Sequence, residues 1–97
     1  MLRIIRVSGL SMTPTLNDGD YIIITKPRSI TPGFIYVLKH DRLGRMVKRL
    51  SKIESEHCYW AGDSVESTAS DKIGSTPKSS IIGQARWVIK PTGMKRL

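Results

Sequence analysis

Short apolar runs alternate with turn-forming residues along most of the chain, a pattern typical of antiparallel β-structure. Pro, Gly, Asp and Asn recur roughly every eight to twelve residues. No segment shows a sustained 3.6-residue hydrophobic period. The runs predict six strands, over residues 2–7, 20–26, 34–40, 45–53, 57–61 and 81–90. We therefore expect a mostly β fold, a small coiled β-barrel of antiparallel strands with little helix.

The segments between these runs are predicted to be turns and loops. Residues 41–44, Asp-Arg-Leu-Gly, predict the turn of a hairpin between the third and fourth strands. Residues 13–16 are the one segment that looks helical, with Thr13 as its N-cap and Pro14 in the first helical position. Residues 62–80 form a long polar stretch, and residues 91–97 are expected to be a basic tail beyond the closing strand.

The net charge of the chain limits the classes of partner that it could bind. Lys and Arg number 16 against 8 Asp and Glu, a net charge of +8 in 97 residues, which is the length of a single domain, residues 1–97. This charge favours nucleic acid, an anionic membrane surface or an acidic protein. The basic residues are scattered, and the six aromatic residues show no stacking signature, which argues against nucleic acid. Peripheral contact with an anionic membrane stays open.

The remaining composition limits metal, redox and membrane chemistry. The single Cys58 excludes an internal disulfide and is expected to be a small buried apolar residue. Two His and one Cys cannot complete a structural zinc site, so we expect no metal and no cofactor. The longest apolar run, residues 21–24, is far shorter than the roughly 20 residues of a membrane-spanning helix. We expect a cytoplasmic or peripheral-membrane protein with no signal peptide.

Two residues could carry nucleophilic chemistry. Ser11 lies where a strand meets a turn, so nearby backbone N–H groups could stabilise an oxyanion, although an ordinary capped turn has the same composition. His40 and His57 have no orienting carboxylate in sequence and are interpreted as surface or strand-end residues. Lys48 shares a strand face with Met46 and Leu50. Its amine either reaches solvent or is buried and neutral near pH 7.

Four segments in order resemble the conserved boxes of type I signal peptidases. Residues 7–16, Val-Ser-Gly-Leu-Ser-Met-Thr-Pro-Thr-Leu, resemble the serine box, and residues 19–23, Gly-Asp-Tyr-Ile-Ile, the second box. Residues 47–50, Val-Lys-Arg-Leu, are similar to the lysine box, and residues 62–64, Gly-Asp-Ser, to the start of the last box. The resemblance spans residues 7–83, most of the chain.

The resemblance implies a serine endopeptidase with a Ser-Lys dyad, on the β fold shared with LexA-type self-cleaving repressors. It assigns Ser11 as nucleophile and Lys48 as general base, with the N–H of Ser11 as one oxyanion donor. Gly9 stands where some members carry a second donor serine. The substrate would be an extended segment of a protein or peptide precursor, paired with a strand edge and carrying small residues near the cut. Leu10 and Met12 could form an apolar rim for it, or equally fill the core.

The last box departs from the family pattern. It is shorter by about one residue, and Ser64 replaces its Asn. With the later Gly in register, Ser70 matches the serine that helps hold the lysine, while Ala69 and Asp71 stand where Asp and Arg belong. That change bears on the rigidity of the loop, and Asp63 remains available to brace the site.

The family's membrane anchor and inserted domain have no counterpart in the sequence. In this respect the chain resembles the maturation proteases of nickel superoxide dismutase, which trim the N-terminus of a precursor. A LexA-like repressor is disfavoured because no DNA-binding segment precedes Ser11 and no Ala-Gly self-cleavage site is present. The alternative hypothesis is a catalytically degenerate peptidase fold that acts as a basic binding module for nucleic acid or anionic membrane.

Overall fold

The chain folds around a single antiparallel sheet. The computed structural model describes residues 1–65 and 70–97, except for the side chains of Ser70 and Asp71. Within these residues the strands are β1 (Leu2–Arg6), β2 (Tyr21–Thr25), β3 (Ile35–His40), β4 (Gly44–Glu54), β5 (His57–Ala61), β6 (Ser75–Pro77), β7 (Ile81–Lys90) and β8 (Gly93–Arg96). One helical turn, α1 (Ser70–Ile73), and one 3₁₀ turn (Lys78–Ser80) complete the described elements. None of the described helical segments is long and apolar enough to cross a membrane.

The strands pair in the order β1-β2-β7-β3-β4-β5-β6, with β8 added to β7. Every pairing is antiparallel, and the six predicted strands correspond to β1–β5 and β7 within one residue at each end. The prediction of a mostly β, antiparallel fold is therefore confirmed. Register shifts in the β2–β7, β3–β7 and β4–β5 pairs bend the sheet. In the described residues its outer strands β1 and β6 do not pair, so the sheet does not close into a barrel.

Two connecting segments differ from the sequence-based expectation. The basic tail contains β8, which pairs with the second half of β7 from Trp87↔Arg96 to Lys90↔Gly93. Main-chain hydrogen bonds form this hairpin, and the charged sequence Gly-Met-Lys-Arg gives no hydrophobic signal for it. The polar stretch contains α1 and β6, and β6 pairs with β5 through Cys58↔Thr76.

The segment predicted to be helical is a series of turns. The Thr13–Pro14 peptide bond is cis, and the Thr13 hydroxyl donates backwards to the carbonyl of Leu10 at 2.9 Å. Thr13 is therefore not an N-cap, because an N-cap oxygen accepts from a backbone N–H further along the chain. One helix-like bond is present, from the N–H of Leu16 to the carbonyl of Met12 at 2.8 Å.

The core consists of two clusters, which lie on opposite faces of β3. The first is formed mainly from β1, β2, β7 and the loop after β1, and includes Met12 and Leu16. The second is formed from β3, β4, β5 and α1, where Tyr36 and Trp60 meet edge to face with ring centroids 6.1 Å apart. Cys58 lies fully buried in the second cluster, as predicted, and burial raises the pKa of its thiol.

The environment of His40 corrects the expectation of a surface histidine. Its side chain is buried, and Nε2 donates to the carbonyl of Ile73 at 2.7 Å while Nδ1 accepts from the N–H groups of Arg42 and Leu43. This set of partners requires the neutral tautomer protonated on Nε2. His40 thereby fixes the β3–β4 turn to the end of α1, a structural role. His57 is exposed at the start of β5, as predicted.

A buried ion pair links the start of β2 to the end of β7. Lys90 Nζ donates to Asp20 Oδ2 at 2.6 Å, and the N–H of Asn17 donates to the same oxygen at 2.8 Å. Burial by itself would raise the pKa of Asp20, but these hydrogen bonds and the positive charge of Lys90 outweigh it, so that the pKa is lowered. The pair therefore closes the loop that precedes β2.

Replacing Lys90 with Met should destabilise the fold by about 2–3 kcal/mol, because Asp20 would be left as a buried carboxylate without its cation. The matched control is Lys52→Met, since the Lys52–Glu54 pair is 57% exposed on both sides. Its loss should cost less than about 1 kcal/mol. Urea unfolding followed by circular dichroism measures both variants, and equal losses would contradict the prediction.

Candidate active site

Ser11 lies in the loop that connects β1 to β2, and backbone hydrogen bonds close the base of this loop. The N–H of Val7 donates to the carbonyl of Asp20 at 2.7 Å, and the N–H of Gly19 donates back to the carbonyl of Val7 at 2.8 Å. Gly19 has a φ of +89°, a conformation that glycine adopts without strain. The loop therefore begins and ends at fixed points of the sheet.

The tip of the loop is held by one core side chain and by one backbone hydrogen bond. Met12 is 1% exposed and packs in the first core cluster, so the residue after Ser11 is an apolar anchor. The carbonyl of Ser11 accepts a hydrogen bond from the N–H of Ser64 at 2.9 Å. The backbone of Ser11 is thus fixed to the segment that resembles the family's last box.

Lys48 lies in the middle of β4, opposite Tyr36 of β3, and its side chain points into the protein. It is 2% exposed, between half-buried Met46 and fully buried Leu50. Of the two possibilities left open by the sequence, the structure shows the buried lysine. Desolvation disfavours the ammonium form, so the pKa of Lys48 is lowered from its ordinary value of 10.5.

One cavity of about 670 Å³ is lined by both Ser11 and Lys48. Its walls are the end of β1, residues 8–12 of the loop and the start of β4. In the described residues, β1 pairs with β2 alone, and β4 begins to pair with β5 at Arg49. Two strand edges with unpaired backbone groups therefore flank the cavity, and they could accept an extended peptide.

Further residues of the cavity wall were not singled out by the sequence. Arg6 and Arg45 line the cavity with Lys48, and no Asp or Glu is among the described residues of its lining. Ser8, a second hydroxyl residue, lies on the same wall. Strand alternation places Arg45 on the face of β4 opposite Lys48, so the sequence carried no signal for Arg45 in this wall. Nor did the sequence show that β1 and the start of β4 face a common cavity.

Asp63, in the segment that resembles the last box, forms hydrogen bonds with the Ser11 loop and with strand β4. It accepts two hydrogen bonds from Arg49, from Nε at 2.8 Å and from the guanidinium Nη2 at 2.7 Å, and a third from the Thr15 hydroxyl at 2.6 Å. The Arg49 hydrogen bonds in particular keep the pKa of Asp63 below its ordinary value. The contacts tie the Ser11 loop to β4, and the sequence identified neither Arg49 nor Thr15 as a partner of Asp63. A role for Asp63 in supporting catalysis stays a prediction.

The other sequence-predicted residues occupy different environments. The N–H of Gly9 donates to Asp18 Oδ1 at 2.7 Å, which commits the backbone donor of Gly9 to the loop itself. Leu10 is 55% exposed and lines the cavity, so it fits a rim, whereas Met12 both lines the cavity and fills the core. The side chain of Ser70 lies outside the described part of the chain, as do Ala69 and the side chain of Asp71.

The fold and the cavity define a small β protein with a loop serine and a buried strand lysine on one cleft. Residues 1–85 match the family model described as Peptidase S24-like. Because the match covers most of the chain, the chain belongs to the Peptidase S24-like family, which confirms the expected superfamily and a peptidase-like fold. No curated protein and no solved structure matches it. The resemblance to nickel superoxide dismutase maturation proteases stays a prediction.

Replacing Asp63 with Asn should destabilise the fold by about 1–2 kcal/mol, because partly buried Arg49 would lose its charged partner. In the wild type, the pKa of Asp63 is below its ordinary value of 3.8, so its ionised form stabilises the folded state. This stability is lost as the pH falls from 3.8 through the lowered pKa. The Asn variant should lack this contribution to acid sensitivity. Urea unfolding at neutral and acid pH tests both effects. Glu54→Gln, in an exposed pair, is the control and should change little.

Proposed function

We propose that the protein is a serine endopeptidase that cleaves an extended segment of a protein precursor, with Ser11 as nucleophile and Lys48 as general base. The observation that carries the proposal is the lysine at the cavity wall, buried from solvent and with a lowered pKa, in the same cleft as a loop serine. Membership of the Peptidase S24-like family supports it. No cofactor enters the reaction.

The reaction follows from the properties of the two side chains. The neutral amine of Lys48 takes the proton of the Ser11 hydroxyl as Oγ attacks the substrate carbonyl. The N–H of Ser11 then donates to the oxyanion, and the proton passes from Lys48 to the leaving amine. Water hydrolyses the acyl-enzyme, with Lys48 as base a second time. Desolvation lowers the pKa of Lys48, so the neutral amine is available at a lower pH than for a lysine in water.

The unpaired strand edges on either side of the cavity support an extended substrate. A peptide that added to the edge of β1 or to residues 44–48 of β4 would present alternate side chains to the cavity. Exposed Leu10 would contact one of them at the rim. The family resemblance implies small residues such as Ala at the cut, and a maturation protease that trims a precursor is the form of the reaction we expect.

Replacing Ser11 with Ala should lower the rate of cleavage by at least about a thousandfold, because the nucleophile is lost while the loop keeps its backbone hydrogen bonds. The matched control is Ser8→Ala, which removes a hydroxyl from the same cavity wall. Mass spectrometry of unstructured peptides and candidate precursor proteins, incubated with each variant, measures the cuts. Cleavage that survives Ser11→Ala but not Ser8→Ala would contradict the assignment of the nucleophile.

The rate of cleavage should rise with pH through the lowered pKa of Lys48 and level off below pH 10.5, because only the neutral amine is a base. Both Lys48→Met and Lys48→Arg should be inactive, since neither side chain can accept the proton. The fold itself should become more stable as the pH rises through that pKa, up to 10.5, because the unfolded chain binds the extra proton. The Met variant should lack this gain.

Titration of the Lys48 amine by NMR separates this proposal from the degenerate-fold alternative. A lowered pKa together with cleavage supports the dyad. An ordinary pKa near 10.5, with no cleavage of any substrate, would instead indicate a fold kept as a basic binding module.

A further inference from the structure

The outward face of the β1-β2-β7-β8 half of the sheet is apolar although no described element covers it. Strand pairing places its side chains in rows across the sheet, and one row runs Ile4–Ile23–Trp87–Arg96. The next runs Arg6–Tyr21–Ile89–Met94. We call this surface the outer face and define it by its apolar members, Leu2, Ile4, Tyr21, Ile23, Trp87, Ile89 and Met94.

The outer face exposes more apolar surface than scattered surface residues would. Its members Leu2, Ile4, Tyr21, Trp87 and Met94 are each 39–67% exposed. Together they leave on the order of 500 Å² of surface in water, the size of the largest apolar patch on a soluble monomer, and such patches are often functional. Inward-facing Ile5, Ile22 and Val88 of the same strands fill the core, so the outer residues are not needed for packing there.

The charges around the outer face are all of one sign. The strands β1, β2, β7 and β8 contain no Asp or Glu. Of their six Lys and Arg residues, Arg6 and Arg96 lie in the rows of the outer face, while Lys90 is turned inward to Asp20. Arg6 and Arg96 stand at opposite ends of the two rows. A protein surface would have to supply both an apolar patch and a rim of carboxylates to match this arrangement, whereas an anionic bilayer offers both over any area.

We infer that the outer face binds the surface of an anionic phospholipid bilayer. Trp87 and Tyr21 have the amphipathic rings that settle at the level of lipid headgroups, and Ile4 and Met94 supply the apolar groups that insert beside them. The flanking side chains of Arg6 and Arg96 pair with lipid phosphates. This inference does not depend on the proposed peptidase activity, because Ser11 and Lys48 take no part in it.

The outer face adjoins the cavity through β1. Leu2 and Ile4 point outward, while Ile5 and Val7 line the cavity on the other side of the strand. Arg6 belongs to both surfaces. A protein bound through the outer face would therefore hold its cleft next to the lipid surface.

Tryptophan fluorescence provides a direct test, because the two tryptophans differ in exposure. Trp87 is 39% exposed on the outer face, and Trp60 is fully buried in the second core cluster. Vesicles of phosphatidylcholine with about a third phosphatidylglycerol should shift the emission of the wild-type chain to the blue, and vesicles of phosphatidylcholine alone should not. In Trp87→Phe the shift should vanish, while the protein still sediments with the anionic vesicles.

The double variant Ile4→Ser Met94→Ser tests the apolar contribution without a change of charge. It should bind the anionic vesicles at least tenfold more weakly in a sedimentation assay. The control is Val65→Ser, which removes a fully exposed apolar side chain outside the strands of the outer face and should bind like the wild type. Circular dichroism of each variant confirms folding, and Met94→Ser alone, at the exposed edge strand β8, serves if the double variant fails to fold.

Three results would overturn the inference. The first is no binding of the wild type to anionic vesicles at low salt. The second is binding that added salt abolishes but that the serine variants leave unchanged, which would show attraction by charge alone. The third is a dimer in analytical ultracentrifugation that dissociates in the double variant, which would make a second copy of the chain the occupant of the outer face.

Discussion

The burial of Lys48 is the constraint on which the cleft depends. A lysine that is 2% exposed makes the folded state less stable wherever its amine would be charged, so the surroundings must keep water out at some cost. Strand β4 supplies only part of that enclosure, through Met46 and Leu50. The cavity that Lys48 lines has the Ser11 loop as another wall, so the protonation state of the lysine depends on a segment far away in sequence.

The loop is held in place by carboxylates, each of which has a defined donor. Asp18 accepts from the N–H of Gly9, Asp20 accepts from Lys90 and the N–H of Asn17, and Asp63 accepts from Arg49 and Thr15. Three of the eight acidic residues in the chain therefore serve one segment. Charged hydrogen bonds of this kind define a single geometry better than apolar contacts do, because they fail when the donor and acceptor move apart.

The strands could be predicted from sequence because alternation of apolar and polar residues is a local property. The burial of Lys48 could not, because a strand lysine reaches solvent or remains buried according to what another part of the chain places over it. The same limit applies to His40, whose partner Ile73 lies beyond two further strands. It applies also to β8, whose pairing rests on main-chain hydrogen bonds to β7. The motifs identified Ser11 and Lys48 as candidates, and the shared cavity came only from the fold.

The acidic residues that hold the loop are not available to neutralise the basic residues on the outside of the sheet. With Asp18, Asp20 and Asp63 committed to internal partners, Arg6 and Arg96 of the outer face lie on strands that contain no carboxylate. Strand β1 carries apolar residues on both faces, and among the described residues it pairs on one edge only. An unpaired apolar edge in water favours pairing with another chain. One face of β1 contributes to the core and the cavity. The other forms part of the outer face. The positive charges of Arg6 and Arg96 there attract an anionic surface and repel other copies of the same positively charged chain.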